Sequence, residues 1–379
     1  MIGAGVHGAS AAFHLASNGV KAGVFERGGP ASGPTGRSSA ICRAYYTNRY
    51  LARVARRSLE MFRDFSAVTG GRVCDFHAAG VLYLHPASDA GAVAESARYM
   101  NSIGTQVDVL TPDQLRADFP LVDVEGIGVA GWEVDGGYAD PVATTGGLLE
   151  RAVELGAAAH LHTAVIDAQA RAGGGARLAL AGGERVECER LLIAAGPWTR
   201  ALAAAFAPQL PLTVERHYVA TIRWADARDM RFVHSDVVGG YYCKPEGEDQ
   251  YCVGPLTPEP EVDPNAPVAG LTSSEAQRMA DLVTRRLPRL RDAVSTGGWS
   301  SLYDVSPDWM PVIGEIAPGV FIDAGTSGHG FKLAPALGAD VARLVMGDPV
   351  DPDLGRFSPA RFESGAEISA GYGAARILG

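Results

Sequence analysis

Six residues at the amino terminus, Gly3-Ala4-Gly5-Val6-His7-Gly8, have the types and spacing to hold a phosphate group. The first glycine permits a tight turn. The second lets backbone approach an anion, and the third lets a helix pack closely on a strand. The helix that follows points its N-terminal N–H groups and the positive end of its dipole at that anion. Small and apolar residues from Ala9 to Ala16 predict this helix, and Asn18-Gly19 predicts its end. Lys21 to Phe25 reads as a short strand ending at Glu26, 23 residues after Gly3. A carboxylate there accepts hydrogen bonds from a ribose diol and repels a 2′-phosphate, so a dinucleotide other than NADP fits. A glycine-rich turn beside a surface glutamate is the plainer alternative.

A second glycine- and hydroxyl-rich loop follows at once. After Arg27-Gly28-Gly29-Pro30 comes Gly33-Pro34-Thr35-Gly36-Arg37-Ser38-Ser39-Ala40-Ile41-Cys42-Arg43. Its N–H groups and hydroxyls suit a second phosphate or a flavin edge. A nicotinamide dinucleotide domain does not need it. One element is short. A Rossmann unit needs a strand of about five residues before the first glycine. Only Met1 and Ile2 stand there, so the numbered start is expected to lie downstream of the true one.

Three further stretches join these: Asp135-Gly136-Gly137-Tyr138-Ala139-Asp140-Pro141, then Leu191-Leu192-Ile193-Ala194-Ala195-Gly196-Pro197-Trp198, then Tyr303-Asp304-Val305-Ser306-Pro307-Asp308 through Pro311-Val312-Ile313-Gly314 to Gly328-His329-Gly330-Phe331-Lys332. With them the sequence resembles FAD-dependent oxidoreductases of the D-amino-acid oxidase class, nearest the sarcosine oxidase and dimethylglycine dehydrogenase branch. The resemblance implies an α/β protein, α+β overall. A Rossmann-like FAD domain of glutathione-reductase type (1–80, 140–208, 297–364) would interleave with a mixed antiparallel-sheet substrate domain (81–139, 209–296). A tail would follow at 365–379.

It also implies a site. Gly3, Ala4, Gly5, Val6, His7, Gly8, Glu26 and Arg27 would hold the dinucleotide half, with Thr35, Gly36, Arg37, Ser38 and Ser39 from the second loop. Val165 would lie where backbone meets adenine; Ala195, Gly196 and Trp198 would add contacts. Gly328, His329, Gly330, Phe331 and Lys332 open a helix, predicted over Ala334 to Val345, whose N-terminal N–H groups would face the flavin pyrimidine. Arg43 and Lys332 take the branch's places for binding a substrate carboxylate, a fork and a point charge. The chain has only three lysines, Lys21, Lys244 and Lys332, among 33 basic residues, which sets Lys332 apart. Tyr303 matches an active-site tyrosine. His329 reads as structural or flavin-facing, and His217 as a pocket or core residue.

Two departures limit the transfer. Monomeric sarcosine oxidase holds FAD through a cysteine two residues before the tyrosine; here that residue is Ser301. The dimethylglycine dehydrogenase branch uses a histidine in the second glycine loop, which has none here. FAD is therefore expected to be non-covalent. The branch's oxygen-activating lysine aligns near Cys252, with Lys244 on the partner arm of the same hairpin. The implied reaction is oxidation of the C–N bond of a small carboxylate-bearing secondary or N-methyl amine. The electron acceptor would be oxygen or an electron-transfer protein. Deamination of a primary amino acid on the same scaffold stays open, as does a non-catalytic flavoprotein subunit.

The rest of the chain must position these residues. Asn48 to Thr69 predicts an amphipathic helix with Leu51, Val54, Ala55, Phe62 and Phe65 on one face and a solvated arginine face. Thr111-Pro112 and Pro141 each start a helix. His160 to Val165 predicts a strand. Arg177 to Leu180 and Arg185 to Cys188 predict a hairpin, as do Tyr241-Tyr242 and Tyr251 to Val253. Glu363 to Gly379 predicts a mobile tail. Net charge is −10 and no basic patch occurs, which argues against a nucleic-acid partner. No run of about 18 apolar residues spans a membrane. Five scattered cysteines without a C-x-x-C point away from disulfides and zinc, and towards the cytoplasm.

Overall fold

The computed structural model describes residues 1–224 and 230–369. A parallel sheet lies under the amino terminus. Strand Gly23–Phe25 pairs with Ala158–His160, and Leu191–Ile193 pairs with Val320–Ala324. Ile2 bridges the two pairs, parallel to both Phe25 and Ile193. Its backbone is tied on each side: Ile2 N–H donates to Leu192 O, and Gly3 N–H donates to Phe25 O. Residues 1–3 thus occupy the central position, with one residue in each bridge. Val312–Ala317 adds an antiparallel edge.

Helix Val6–Ser17 packs against helices Pro141–Glu154 and Gly330–Met346, and Arg49–Arg63 packs against Gly330–Met346. Small residues permit the close approach. A Cβ on Gly8 would lie 2.0 Å from Gly3 O, and one on Gly338 would lie 2.2 Å from Ser10 Oγ. Two helices start where predicted, each behind a side-chain cap. Asp140 Oδ1 accepts from Val142 and Ala143 N–H, and Thr111 forms a capping box with Gln114.

A larger mixed sheet of eight strands forms the other body. Its order is Val294–Val305, Thr213–Arg223, Gln250–Pro255, Tyr241–Glu246, Val233–Asp236, Val81–His85, Val129–Glu133, Val107–Leu110. Val294–Val305 is 12 residues long and carries Ser301 and Tyr303 towards the first body. Both predicted hairpins form, at Ala176–Leu180 with Arg185–Cys188 and at Tyr241–Glu246 with Gln250–Pro255.

Several local expectations are corrected. The single helix over 48–69 is two, Arg49–Arg63 and Phe65–Thr69. The chain turns at Asp64, which buries Phe65 beside Gly147. The arginine face is not simply solvated. Arg53 pairs with Asp351 and Asp353 at 2.7 and 2.9 Å, and Arg57 pairs with Asp340 at 3.0 Å. The strand over 160–165 is interrupted. Ala158–His160 stays in the parallel sheet, His162 turns at φ +54°, and Val165–Ala170 joins a three-stranded antiparallel sheet. The start of the tail is docked: Ile368 is buried and its N–H donates to Asp308. Residues 370–379 lie outside the described residues. Among the described residues no helix is long and apolar enough to cross a membrane.

Candidate functional site

A cleft of about 400 Å³ runs from the amino-terminal fingerprint to the end of strand Val294–Val305. Gly3, Gly5, Val6 and His7 line it, with Glu26 and Arg27 beside them. Gly3 has φ +102°, and a Cβ there would meet Ala194 O at 2.3 Å, so the turn requires glycine. Ala4 and Gly8 do not line the cleft. Ala4 N–H donates to Glu26 Oε2 at 2.8 Å, and Glu26 Oε1 accepts from Gly28 N–H. The carboxylate is therefore held by backbone on both oxygens, each keeping a lone pair for another donor.

The second glycine loop folds over the same helix start. Thr35 Oγ1 accepts from Val6 N–H at 3.2 Å and caps the fingerprint helix from a distant segment. Thr35, Arg37, Ser38 and Ser39 line the cleft; Gly36 instead packs on Ala31 O. Trp299 Nε1 donates to Arg37 O, tying this loop to the large sheet. Val165, Ala195, Gly196 and Trp198 line the wall next to Arg27. The Arg27 guanidinium lies 3.5 Å from the Trp198 ring, and Trp198 Nε1 donates to Asn265.

At the other end stand Arg43, Tyr303, Gly328, Gly330, Phe331 and Lys332. Arg43 donates to Tyr45 O and lies 4.4 Å from the Tyr46 ring. Lys332 is buried in the first turn of its helix, and its ammonium reaches Gly328 O at 3.4 Å. Burial, then the Arg43 charge, holds the lysine well below its ordinary pKa. Among the described residues Lys332 has no carboxylate partner. Burial, then the Glu215 charge, pushes the Tyr303 phenol up to about 12, so it remains a hydrogen-bond donor at neutral pH.

His329 does not line the cleft. It is fully buried behind it and stacks on Tyr46, with Nδ1 3.3 Å from the Tyr46 hydroxyl. His217 is likewise behind, stacked on Tyr303 at 3.9 Å and hydrogen-bonded to Glu215 at 3.0 Å. Lys244 is the cross-strand partner of Cys252, but it pairs with Glu246 at 2.5 Å and does not line the cleft.

The structure adds residues that sequence reasoning passed over. Glu133 is fully buried under Arg43 and accepts from Ala44 N–H at 2.6 Å, Tyr45 N–H at 3.3 Å and the Tyr83 hydroxyl at 2.8 Å. Burial pushes its carboxyl up; those donors and the Arg43 charge oppose this. Asp304 and Asp323 also line the cleft. Nothing in the spacing around Glu133 marks it. Asp304 lies inside one of the recognised stretches and Asp323 between two of them, and spacing gives neither a role.

FAD fits this cleft. Ser301 Oγ and Asp323 Oδ1 are buried atoms of cleft-lining residues with no hydrogen-bond partner among the described residues. A cofactor with a polar ring edge and hydroxyls supplies such partners.

Comparison with known proteins agrees. The chain is 23% identical over 323 residues to FAD-dependent oxidoreductase domain-containing protein 1 of Xenopus laevis, covering 76% of this chain and 65% of that one. It is 25% identical to 4-methylaminobutanoate oxidase (formaldehyde-forming) of Paenarthrobacter nicotinovorans, over 99% of this chain but only 47% of the relative. It is 23% identical to N-methyl-L-tryptophan oxidase of Yersinia pestis, over 96% and 98%. The chain thus spans about half to two thirds of the length of the first two. In fold it resembles L-proline dehydrogenase from P. horikoshii, with a TM-score of 0.86 over 96% of this chain and 97% of that chain at 24% identity. The model of the FAD dependent oxidoreductase family, DAO, matches residues 1–344, and the chain belongs to that family.

Proposed function

We propose that this chain oxidises the C–N bond of a small secondary or N-methyl amine that bears a carboxylate. The observation that carries this is Lys332, a buried amine that lines the cleft beside Arg43 and has no acid partner among the described residues. Glu133 already faces Arg43, but a proton on Lys332 puts an unmatched charge into the cleft until an anion joins it. A carboxylate bridging Arg43 and Lys332 gains charge-assisted hydrogen bonds and fixes the rotation of the substrate. The relatives' named substrates, 4-methylaminobutanoate and N-methyl-L-tryptophan, each carry an N-methyl amine and a carboxylate.

FAD, when bound, supplies the two-electron acceptor for the substrate's C–H hydride. The chain's part is orientation. Arg43 and Lys332 hold the carboxylate, and Tyr303 offers a hydroxyl donor to the substrate. The first turn of helix Gly330–Met346 directs its N–H groups and dipole at developing negative charge. The substrate imine left behind adds water and separates into amine and carbonyl. The test is anaerobic bleaching of the flavin by sarcosine-like amino acids and by the same amines lacking the carboxylate. Carboxylated amines should bleach it at least about tenfold faster; equal rates overturn the reading. Ser301 has no thiol to bond the flavin, so acid precipitation should leave yellow FAD in the supernatant. A yellow pellet shows covalent attachment.

A further inference from the structure

Asp323 is the acid that the proposed reaction does not use. It lies on strand Val320–Ala324, lines the cleft and is 2% exposed. Its Oδ2 is 2.8 Å from His7 Nδ1. Its Oδ1 is buried without a hydrogen-bond partner among the described residues. His7 Nε2 is 3.1 Å from Gly330 O. Both ring nitrogens face acceptor oxygens, an arrangement that favours a proton on each. Burial opposes the resulting charge, but the charge and hydrogen bond of Asp323, the charge of Asp304 and the Gly330 carbonyl outweigh it and raise the His7 pKa.

The pair joins two segments with different tasks. His7 sits in the fingerprint turn that faces a pyrophosphate. Gly330 opens the helix that carries Lys332 to the flavin. What lies between pyrophosphate and ring in FAD is the ribityl chain, a polyol. A bare carboxylate next to a pyrophosphate would repel it; His7 removes that conflict by neutralising Asp323. An ionised carboxylate only accepts, and the cofactor's hydroxyls are its donors.

We propose that the unpaired Oδ1 of Asp323 accepts a hydrogen bond from a hydroxyl of the FAD ribityl chain, and that His7 orients and neutralises Asp323 for this task. Asp323 thereby becomes a cofactor-binding residue and His7 a positioning residue.

The test is affinity, not turnover. Full-length apoprotein is titrated with FAD and with analogues lacking the 2′-, 3′- or 4′-ribityl hydroxyl, read by quenching of flavin fluorescence. Wild type should lose about tenfold or more in affinity for one ribityl analogue. Asp323→Ala should bind FAD correspondingly more weakly and no longer discriminate against that analogue. Asp323→Asn, which keeps an acceptor oxygen, should restore part of the discrimination. If wild type binds all three analogues as well as FAD, the proposal falls, and that result needs no variant to fold. It also falls if Asp323→Ala keeps the wild-type preference.

Discussion

At the fingerprint end of the cleft the chain works with backbone; at the Arg43–Lys332 end it works with charged side chains. Gly3, Ala4, Gly28 and Val6 turn, approach or donate through main-chain atoms, and Glu26 and Thr35 hold those atoms in place. Arg43 meets Tyr303 and Lys332 across separations of roughly 260 and 290 residues. They are steadied from behind by Glu133, Tyr46 and His217. A backbone site tolerates little change in volume, because each contact is van der Waals tight. A side-chain site tolerates change in volume but not in charge.

The largest effect should come from filling the backbone end. Gly3→Val places a Cβ 2.3 Å from Ala194 O at φ +102°. Overpacking and left-handed strain together cost several kcal/mol, about 1–3 for each. Purified protein should carry no flavin, shown by absorbance; a yellow, stoichiometric holoprotein would break the contrast. Next come the charges. Lys332→Met and Arg43→Ala should keep full flavin content yet lower kcat/KM by about 10–100-fold. Loss of flavin instead of rate would mean that these residues serve the cofactor rather than the substrate. Smaller still is Glu133→Gln, which keeps an acceptor for Ala44 N–H but loses the charge facing Arg43. A fall in kcat/KM of about 3–10-fold with unchanged flavin is expected. An unchanged kcat/KM would show that Arg43 does not depend on it.

The same contrast explains what the sequence could reveal. The fingerprint lies within 26 residues, so its turn, helix and acid could be read from spacing alone. The hairpins and the Thr111 and Asp140 caps are local in the same way. Arg43 and Lys332 have no local signature beyond the scarcity of lysine, and only resemblance linked them. Glu133 and Asp323 were invisible because their partners are distant: His7 and Asp323 are 316 residues apart. The kink at Asp64 and the turn at His162 escaped for a related reason. Both are imposed by where the chain must go next, and neither breaks the local apolar pattern.

The two ends should also respond to pH with opposite sign, and this is the smallest effect. His7 has a folded pKa raised above its ordinary 6.5, chiefly by Asp323 acting against burial. Its contribution is fully present below pH 6.5 and is lost as pH rises through the raised value. Lys332 has a folded pKa held well below 10.5 by burial and Arg43. Between that lowered value and 10.5 the unfolded chain binds more protons, so stability contributed at this site rises with pH. In wild-type holoprotein the two slopes partly cancel where their pH windows overlap. His7→Gln should remove the falling component and leave Tm rising with pH relative to wild type. Lys332→Met should remove the rising component and leave Tm falling. Each difference is read as a change in the slope of Tm against pH, at about 1 °C per kcal/mol for a chain of this length. Variants whose Tm tracks wild type in parallel at every pH would show that neither group titrates differently in the folded state. A carboxylate ligand adds a sharper reading. By pairing with Lys332 it should pull a proton onto the amine at pH values above the lowered pKa. Binding enthalpy should then depend on the ionisation heat of the buffer in wild type and lose that dependence in Lys332→Met.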